Sequence, residues 1–152
     1  MSATGQAPDV WRREPFEIST DPARLQVDAI YDYLSRSYWA TGRPRDVVIR
    51  SLAGSLCFGL YHADRQIGLV RVVTDRATFA YVCDVYVLDA YRGQGLGKWL
   101  MQVVTTHPDL QGLRRWSLAT RDAHGLYRQF GFQNLAAPDA WMERFNPGSA
   151  PS

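Results

Sequence analysis

The chain is short of the features that mark a protein for secretion, a membrane or a nucleic-acid partner. Only two cysteines occur in 152 residues, Cys57 and Cys83. Both sit in apolar, strand-like stretches without metal-ligand spacing, so free thiols in a reducing compartment are expected and no metal is. No run of about 18 apolar residues exists to span a membrane. The stretch Met1 to Pro15 is polar and holds no apolar leader segment. The formal net charge is only +2, which gives no reason to expect nucleic acid or an anionic bilayer as a partner. Arg12-Arg13, Arg43 to Arg45 and Arg114-Arg115 are short basic groups that read as solvated surface. By elimination, a cytoplasmic location is expected.

What is present is an ordinary globular composition, 46% hydrophobic and 21% charged, at a length suited to one core. Residues 1–15 and 146–152 are rich in Pro, Gly, Ser and Ala and are expected to be flexible ends around a single domain, residues 16–145.

Along that domain, Phe16 to Ser19 reads as a short strand. Asp21 and Pro22 offer a helix start, a capping carboxylate followed by a residue tolerated at the first helical position. The spacing of Val27, Ile30, Tyr31, Leu34 and Tyr38 predicts a helix over about Pro22 to Ser37. Gly42 breaks it, and Pro44 opens a second helix. Leu56 to His62, Ile67 to Thr74 and Thr78 to Val87 are rich in β-branched and aromatic residues and predict an antiparallel meander. Strict alternation in the third strand puts Phe79, Tyr81, Cys83, Val85 and Val87 on one face and Val82, Asp84 and Tyr86 on the other. A helix follows over Gln94 to Thr106, with Leu96, Leu100, Val103, Val104 and His107 on one stripe and Pro108 as its stop. Arg115 to Ala119 predicts a strand and Asp122 to Phe130 a helix ended by Gly131. Phe132 to Leu135 and Trp141 to Phe145 complete a strand pair. The expected order is βααβββαβαββ, a mixed α/β (α+β) fold.

The densest information lies in Arg92-Gly93-Gln94-Gly95-Leu96-Gly97, between a strand and an amphipathic helix. Glycines open conformations closed to other residues and let a ligand approach the backbone. The first turn of a helix adds unpaired N–H groups and a positive dipole end, so the segment suits a phosphate. A tight strand-to-helix turn would use the same glycines. The loop is no P-loop, because Trp99 follows Lys98 where Ser or Thr is required. Nor is it a dinucleotide fingerprint, since it reads Gly-x-Gly-x-Gly after an antiparallel meander.

The segment Val85-Tyr86-Val87-Leu88-Asp89-Ala90-Tyr91 together with this loop resembles the acyl-CoA-binding segment of the GNAT superfamily of N-acyltransferases. Downstream, Ala123-His124-Gly125-Leu126-Tyr127-Arg128-Gln129-Phe130-Gly131-Phe132 resembles that family's Ala-x-x-x-Tyr-x-x-x-Gly-Phe signature. The resemblance covers Phe16 to Phe145. It implies a central mixed, mostly antiparallel sheet flanked by helices, acetyl-CoA as cosubstrate, and transfer to a primary amine by direct attack in a ternary complex. The strand before the loop should splay from the strand at Arg115 to Ala119. Pantetheine would lie in the gap along Val85, Tyr86 and Val87, and the pyrophosphate against Gly93 to Lys98 beside Arg92. Thr120 and Ala123 would complete the contact, Thr120 standing where relatives often carry Asn.

The resemblance also assigns chemistry. Tyr127 stands where the family keeps its general acid; a phenol near pKa 10 can protonate a departing thiolate. A strand amide near Val85 would polarise the thioester carbonyl. Asp84, beside the cofactor strand, is the candidate base; the alternatives are an exposed or salt-bridged structural role for it, with deprotonation through water or capture of the already neutral amine needing no dedicated residue. His62, His107 and His124 are weaker candidates. Acceptor contacts are expected from Trp39, Arg43, Arg71 and Tyr81, with Tyr38 and Trp141 nearby; aromatics with Arg suit a small amine bearing a carboxylate. A protein, peptide or aminoacyl-tRNA acceptor is the alternative, as is a non-catalytic acyl-CoA-binding module. Monomer and homodimer are both compatible with the sequence.

Overall fold

The computed structural model describes residues 7–149. Part of each expected flexible end, residues 1–6 and 150–152, lies outside the described residues. Six strands form one sheet in sequence order: β1 (Val10–Arg13), β2 (Phe16–Ser19), β3 (Leu56–His62), β4 (Arg65–Thr74), β5 (Phe79–Val87) and β6 (Arg115–Leu118). Every neighbouring pair is antiparallel except β5 and β6. Helices α1 (Val27–Arg36) and α2 (Arg45–Ala53) cover one face. Helix α3 (Leu96–Thr106) covers the other, and the short α4 (His124–Arg128) packs beside it. No helix among the described residues is long and apolar enough to cross a membrane.

Two apolar clusters divide along the sheet. Phe58, Leu60, Val70, Val72, Ala80 and Val82 meet Leu96, Leu100 and Val104 of α3. Cys57, Leu69 and Tyr86 meet Ile30, Leu34, Val48 and Leu52 of α1 and α2. Strand β4 is buried on both faces from Gln66 to Val72, where Ile67 to Val70 and Val72 are apolar or glycine and Arg71 is a buried charge.

Four expectations need correction. Val10–Arg13, placed in a flexible end, is a strand paired with β2. Trp11 anchors it against Phe58 and His107, and His107 meets the Asp9 carboxylate at 2.8 Å. The helix expected from Pro22 begins instead with a 3₁₀ turn, Pro22–Arg24, capped by Asp21, and α1 proper starts at Val27. The closing strand pair does not form: residues 133–145 hold only a 3₁₀ turn, Pro138–Ala140, and are exposed. Asn134 there is held by Arg128, and two strands of four or five residues have no independent stability without a sheet edge to join. The order is therefore ββααβββαβα.

The fourth correction concerns β5. Arg71 faces Cys83 and Leu69 faces Tyr86, so one residue of β4, Val70, stands opposite two of β5, Asp84 and Val85. The extra residue is a bulge opposite Val70, and Asp84 takes a left-handed φ of +51° there. A bulge reverses the alternation beyond it. Val82 therefore shares the α3 face with Val85 and Val87, while Cys83, Asp84 and Tyr86 turn towards α1 and α2.

Candidate active site

The register of β5 and β6 sets the site. Pairing runs from Phe79–Arg115 to Val82–Leu118 and stops. Beyond it β5 continues to Val87, whereas the other chain bends through Ala119 to Ala123 into α4. The resulting fork contains a cavity of about 400 Å³. Asp84 and Val85 form one wall, and Thr120, Ala123 and Tyr127 form the opposite one. Tyr38, Trp39 and Tyr81 close the end towards the α1–α2 connection. A smaller cavity of about 240 Å³ lies on the far side of Leu118 to Thr120 and shares Tyr127.

The glycine loop leaves the end of β5 at the same side of the sheet. A 3₁₀ turn, Asp89–Tyr91, leads into Arg92, and Gly93 and Gly95 take left-handed φ values of +82° and +77°. Gly95 is the N-cap of α3 and has no side chain to satisfy the first amides. A Cβ placed on Gly93, Gly95 or Gly97 would meet no protein atom within 4 Å. The bare backbone therefore faces open space at the positive end of an 11-residue helix. This cradle has room and donors for a diphosphate. Gln94 and Lys98 are exposed beside it, while Leu96 is buried against the core. Arg92 is exposed, and its guanidinium donates to the Tyr33 hydroxyl at 2.9 Å and to the Val87 carbonyl at 3.3 Å.

The expected site residues fall into three groups. Trp39, Tyr81, Asp84, Val85, Thr120, Ala123 and Tyr127 converge on the fork cavity. Arg92 to Lys98 form the cradle, next to Val87. Tyr86 points away from the cavity and stacks on Tyr33 at 4.0 Å, so only its main chain faces a ligand in the fork. Arg43 and Arg71 stand behind the cavity wall, and Trp141 lies over Arg115 at the start of β6. Of the histidines, His62 meets the Tyr91 hydroxyl and His107 joins Asp9; neither lines the fork, and His124 borders the smaller cavity. Arg121, Asp122 and Cys83 line the cavity without having been singled out. Arg121 lies 3.7 Å over the Tyr38 ring. No local pattern distinguishes them from surface or core.

Burial sets the protonation states. Tyr127 is 8% exposed, and loss of water pushes its phenol up to about 12, so it carries its proton across the ordinary pH range. Cys83 is likewise pushed up by burial, to about 11, despite Arg71 nearby, and is a thiol rather than a nucleophilic thiolate. Burial raises Asp84 as well, but hydrogen bonds and charge from Arg43 and Arg71 outweigh it and hold the carboxyl below its usual range. Thr120 Oγ1 accepts from the Ala123 amide at 3.0 Å, which caps the turn into α4 and leaves its hydroxyl proton to donate.

A forked sheet, a bare glycine turn at the start of α3 and a buried, protonated tyrosine on one wall are compatible with an acyl-CoA-dependent transferase. Comparison with known proteins agrees. Residues 53–134 match the family model described as an acetyltransferase (GNAT) domain. A Gibberella zeae protein named as an acetyltransferase is 39% identical over 143 residues, 79% of this chain and 80% of that one. A crystal structure of a GNAT-family protein from Xanthomonas campestris pv. campestris superposes with a TM-score of 0.85 at 48% identity, covering 88% of this chain and 94% of the other. Over a shorter stretch, 41% of this chain and 39% of the relative, thialysine N-epsilon-acetyltransferase of Mus musculus is 33% identical. The chain belongs to the GNAT family of acetyltransferases.

Proposed function

We propose that this acetyltransferase moves an acetyl group from acetyl-CoA to the primary amine of a small molecule, by direct attack while both are bound. The observation that carries this reading is the fork itself. Val85 and Tyr127 face each other across one cavity, beyond the last paired residues of β5 and β6. Pantetheine fits between the diverging strands, with its diphosphate on the Gly93 to Lys98 amides. On this reading a thioester lies between a strand amide that can receive the carbonyl oxygen and a phenol that can supply the thiolate's proton.

The balance of the reaction is simple. The amine nitrogen forms the new C–N bond, the C–S bond breaks, Tyr127 gives its proton to sulfur, the nitrogen's surplus proton leaves to water, and Tyr127 recovers a proton from solvent. Direct transfer is favoured because the one thiol on the cavity wall, Cys83, is held in its unreactive form. A small acceptor is favoured because the cavity of about 400 Å³, within the range of small-ligand clefts, must also take the end of pantetheine. Tyr38, Trp39 and Tyr81 line its end with aromatic rings, a lining that suits an ammonium group before it loses its proton. The name of the mouse relative, a thialysine acetyltransferase, points in the same direction.

The test is incubation with acetyl-CoA and a panel of small amines, following free thiol. Amine-dependent release of CoA is expected, with initial-rate lines that intersect. Parallel lines would replace direct attack by an acyl-enzyme. Turnover on peptides or aminoacyl-tRNA but on no small amine would reassign the acceptor. Acetyl-CoA binding without turnover on any acceptor would leave a binding module.

A further inference from the structure

Asp84 has the position of a base but not the free valences of one. Its Oδ1 accepts from Trp39 Nε1 at 2.9 Å and from Arg43 Nη2 at 3.1 Å. Its Oδ2 accepts from Arg43 Nη1 at 2.9 Å and Arg71 Nε at 2.8 Å. A carboxylate offers about four acceptor positions, and all four are filled by donors. The side chain is 1% exposed. A general base must bring an open lone pair within hydrogen-bond reach of the proton it removes. Two guanidinium groups also make this carboxylate a poorer proton acceptor than a solvated one.

The same four bonds tie three pieces of chain together. Trp39 and Arg43 belong to the connection between α1 and α2, Arg71 belongs to β4, and Asp84 is the left-handed residue of the β5 bulge. Arg71 reaches further, donating from Nη1 to Ser55 Oγ at 3.2 Å ahead of β3. A non-glycine residue keeps a positive φ only where its surroundings hold it, and such residues gather at functional sites. The bulge is what turns Val85 to the α3 side, next to the cavity, and Trp39 is part of the cavity's aromatic end. The other titratable groups packed around Asp84 are Cys57 of β3 and Tyr81, Cys83 and Tyr86 of β5. Burial first of all pushes each towards its neutral form. Arg121 and Asp122 stand across the cavity.

We propose that Asp84 is a positioning residue and not the base: clamped by Arg43, Arg71 and Trp39, it fixes the bulge that aims Val85 at the thioester and registers the acceptor wall against it. The inference rests on the acetyl-transfer reading. On this account no side chain of β5 takes the proton of the amine, and the acid limb of the pH–rate profile belongs to the acceptor's own ammonium.

The experiment compares wild type, Asp84→Asn and Arg71→Lys. Acetyl-CoA affinity is read by calorimetry, and kcat/KM is read from pH 6 to 10 with an amine that wild type acetylates. Asparagine tolerates the left-handed conformation and keeps one acceptor oxygen. Asp84→Asn is expected to lower kcat about tenfold through misplacement while the acid limb stays where it is. Arg71→Lys keeps the charge and the Asp84 carboxylate but loses the Nε donor. It is expected to lower kcat and raise the acceptor KM, and it remains informative should Asp84→Asn fail to fold.

Disappearance of the acid limb in Asp84→Asn, with a loss of about a hundredfold or more and unaltered acetyl-CoA affinity, would make Asp84 the base and overturn the proposal. So would wild-type kinetics in Arg71→Lys. Wild-type protein that binds no acetyl-CoA would instead sink the transferase reading, and this inference with it.

Discussion

The rings of Tyr33 and Tyr86 lie parallel, 4.0 Å apart and within 9° of one plane. Tyr33 belongs to α1 and Tyr86 to the strand that feeds the glycine loop. The Tyr33 hydroxyl also receives the Arg92 guanidinium. One side chain thus joins a helix, the strand that feeds the glycine loop and Arg92 at the start of that loop. Tyr33→Phe keeps the stack and releases Arg92, so acetyl-CoA affinity should fall about twofold to fivefold with thermal stability unchanged. Tyr33→Ala should also cost roughly 1–3 kcal/mol of folding stability. Calorimetric titration beside a urea melt distinguishes the two effects.

Gly97 separates ligand approach from folding. It lies in the first turn of α3, and no protein atom comes within 4 Å of a Cβ built there. Ala is the better helix former, so Gly97→Ala should stabilise the protein by roughly 0.5–1 kcal/mol. The added methyl would occupy the approach to the amides and raise the acetyl-CoA dissociation constant about tenfold or more. Stability and affinity moving in opposite directions is the signature; affinity unchanged in the folded variant would refute the cradle.

Tyr127→Phe removes one hydroxyl from a buried ring whose edge contact with Phe132, at 6.1 Å between centroids, remains. The expected loss in kcat is about a hundredfold, with acetyl-CoA affinity little altered. Because burial holds the phenol near 12, wild-type kcat should show no alkaline decline from this group up to pH 10. A decline centred well below pH 10 that vanishes in Tyr127→Phe would contradict the burial argument.

Asp84 should leave its mark on acid stability. Its folded-state carboxyl lies below the ordinary range, so its contribution is present above the unfolded value near 3.9 and is lost as pH falls below it. Urea midpoints should drop between pH 5 and pH 3 in wild type and drop less in Asp84→Asn. Equal drops would show that the Arg43 and Arg71 bonds contribute nothing to that dependence.

The sequence marks the middle of this fold well. Strand β3 has the expected bounds, β4 and β5 begin within two residues of expectation, and the stripe of α3 is buried as its spacing demands. Gly131 takes its left-handed stop, at +88°. These features are local: apolar period, β-branched runs, a glycine where a helix ends. Strand β1 escaped because its anchors, Trp11 and Asp9, act on residues far along the chain. The closing strand pair was overread because Trp141 to Phe145 has strand character whether or not an edge receives it.

The site divides along the same line. Its glycines and Tyr127 announce themselves by type and spacing. The bulge does not, because the donors that hold Asp84 in place sit 13, 41 and 45 residues away in sequence. For the same reason Arg43 and Arg71 read as acceptor contacts and fold as the clamp on Asp84. An arginine's sequence neighbours do not say whether it meets a ligand or a buried carboxylate.

Strand β6 is only four residues long. Had Ala119 and Thr120 gone on zipping to Cys83 and beyond, the sheet would gain a few hydrogen bonds and the enzyme would have no room for its reactants. On the proposed reading, catalysis depends on a ladder left unfinished, and the shortness of β6 keeps the fork open. Substitutions at Ala119 or Thr120 that favour extension would make a sturdier sheet and a narrower workplace.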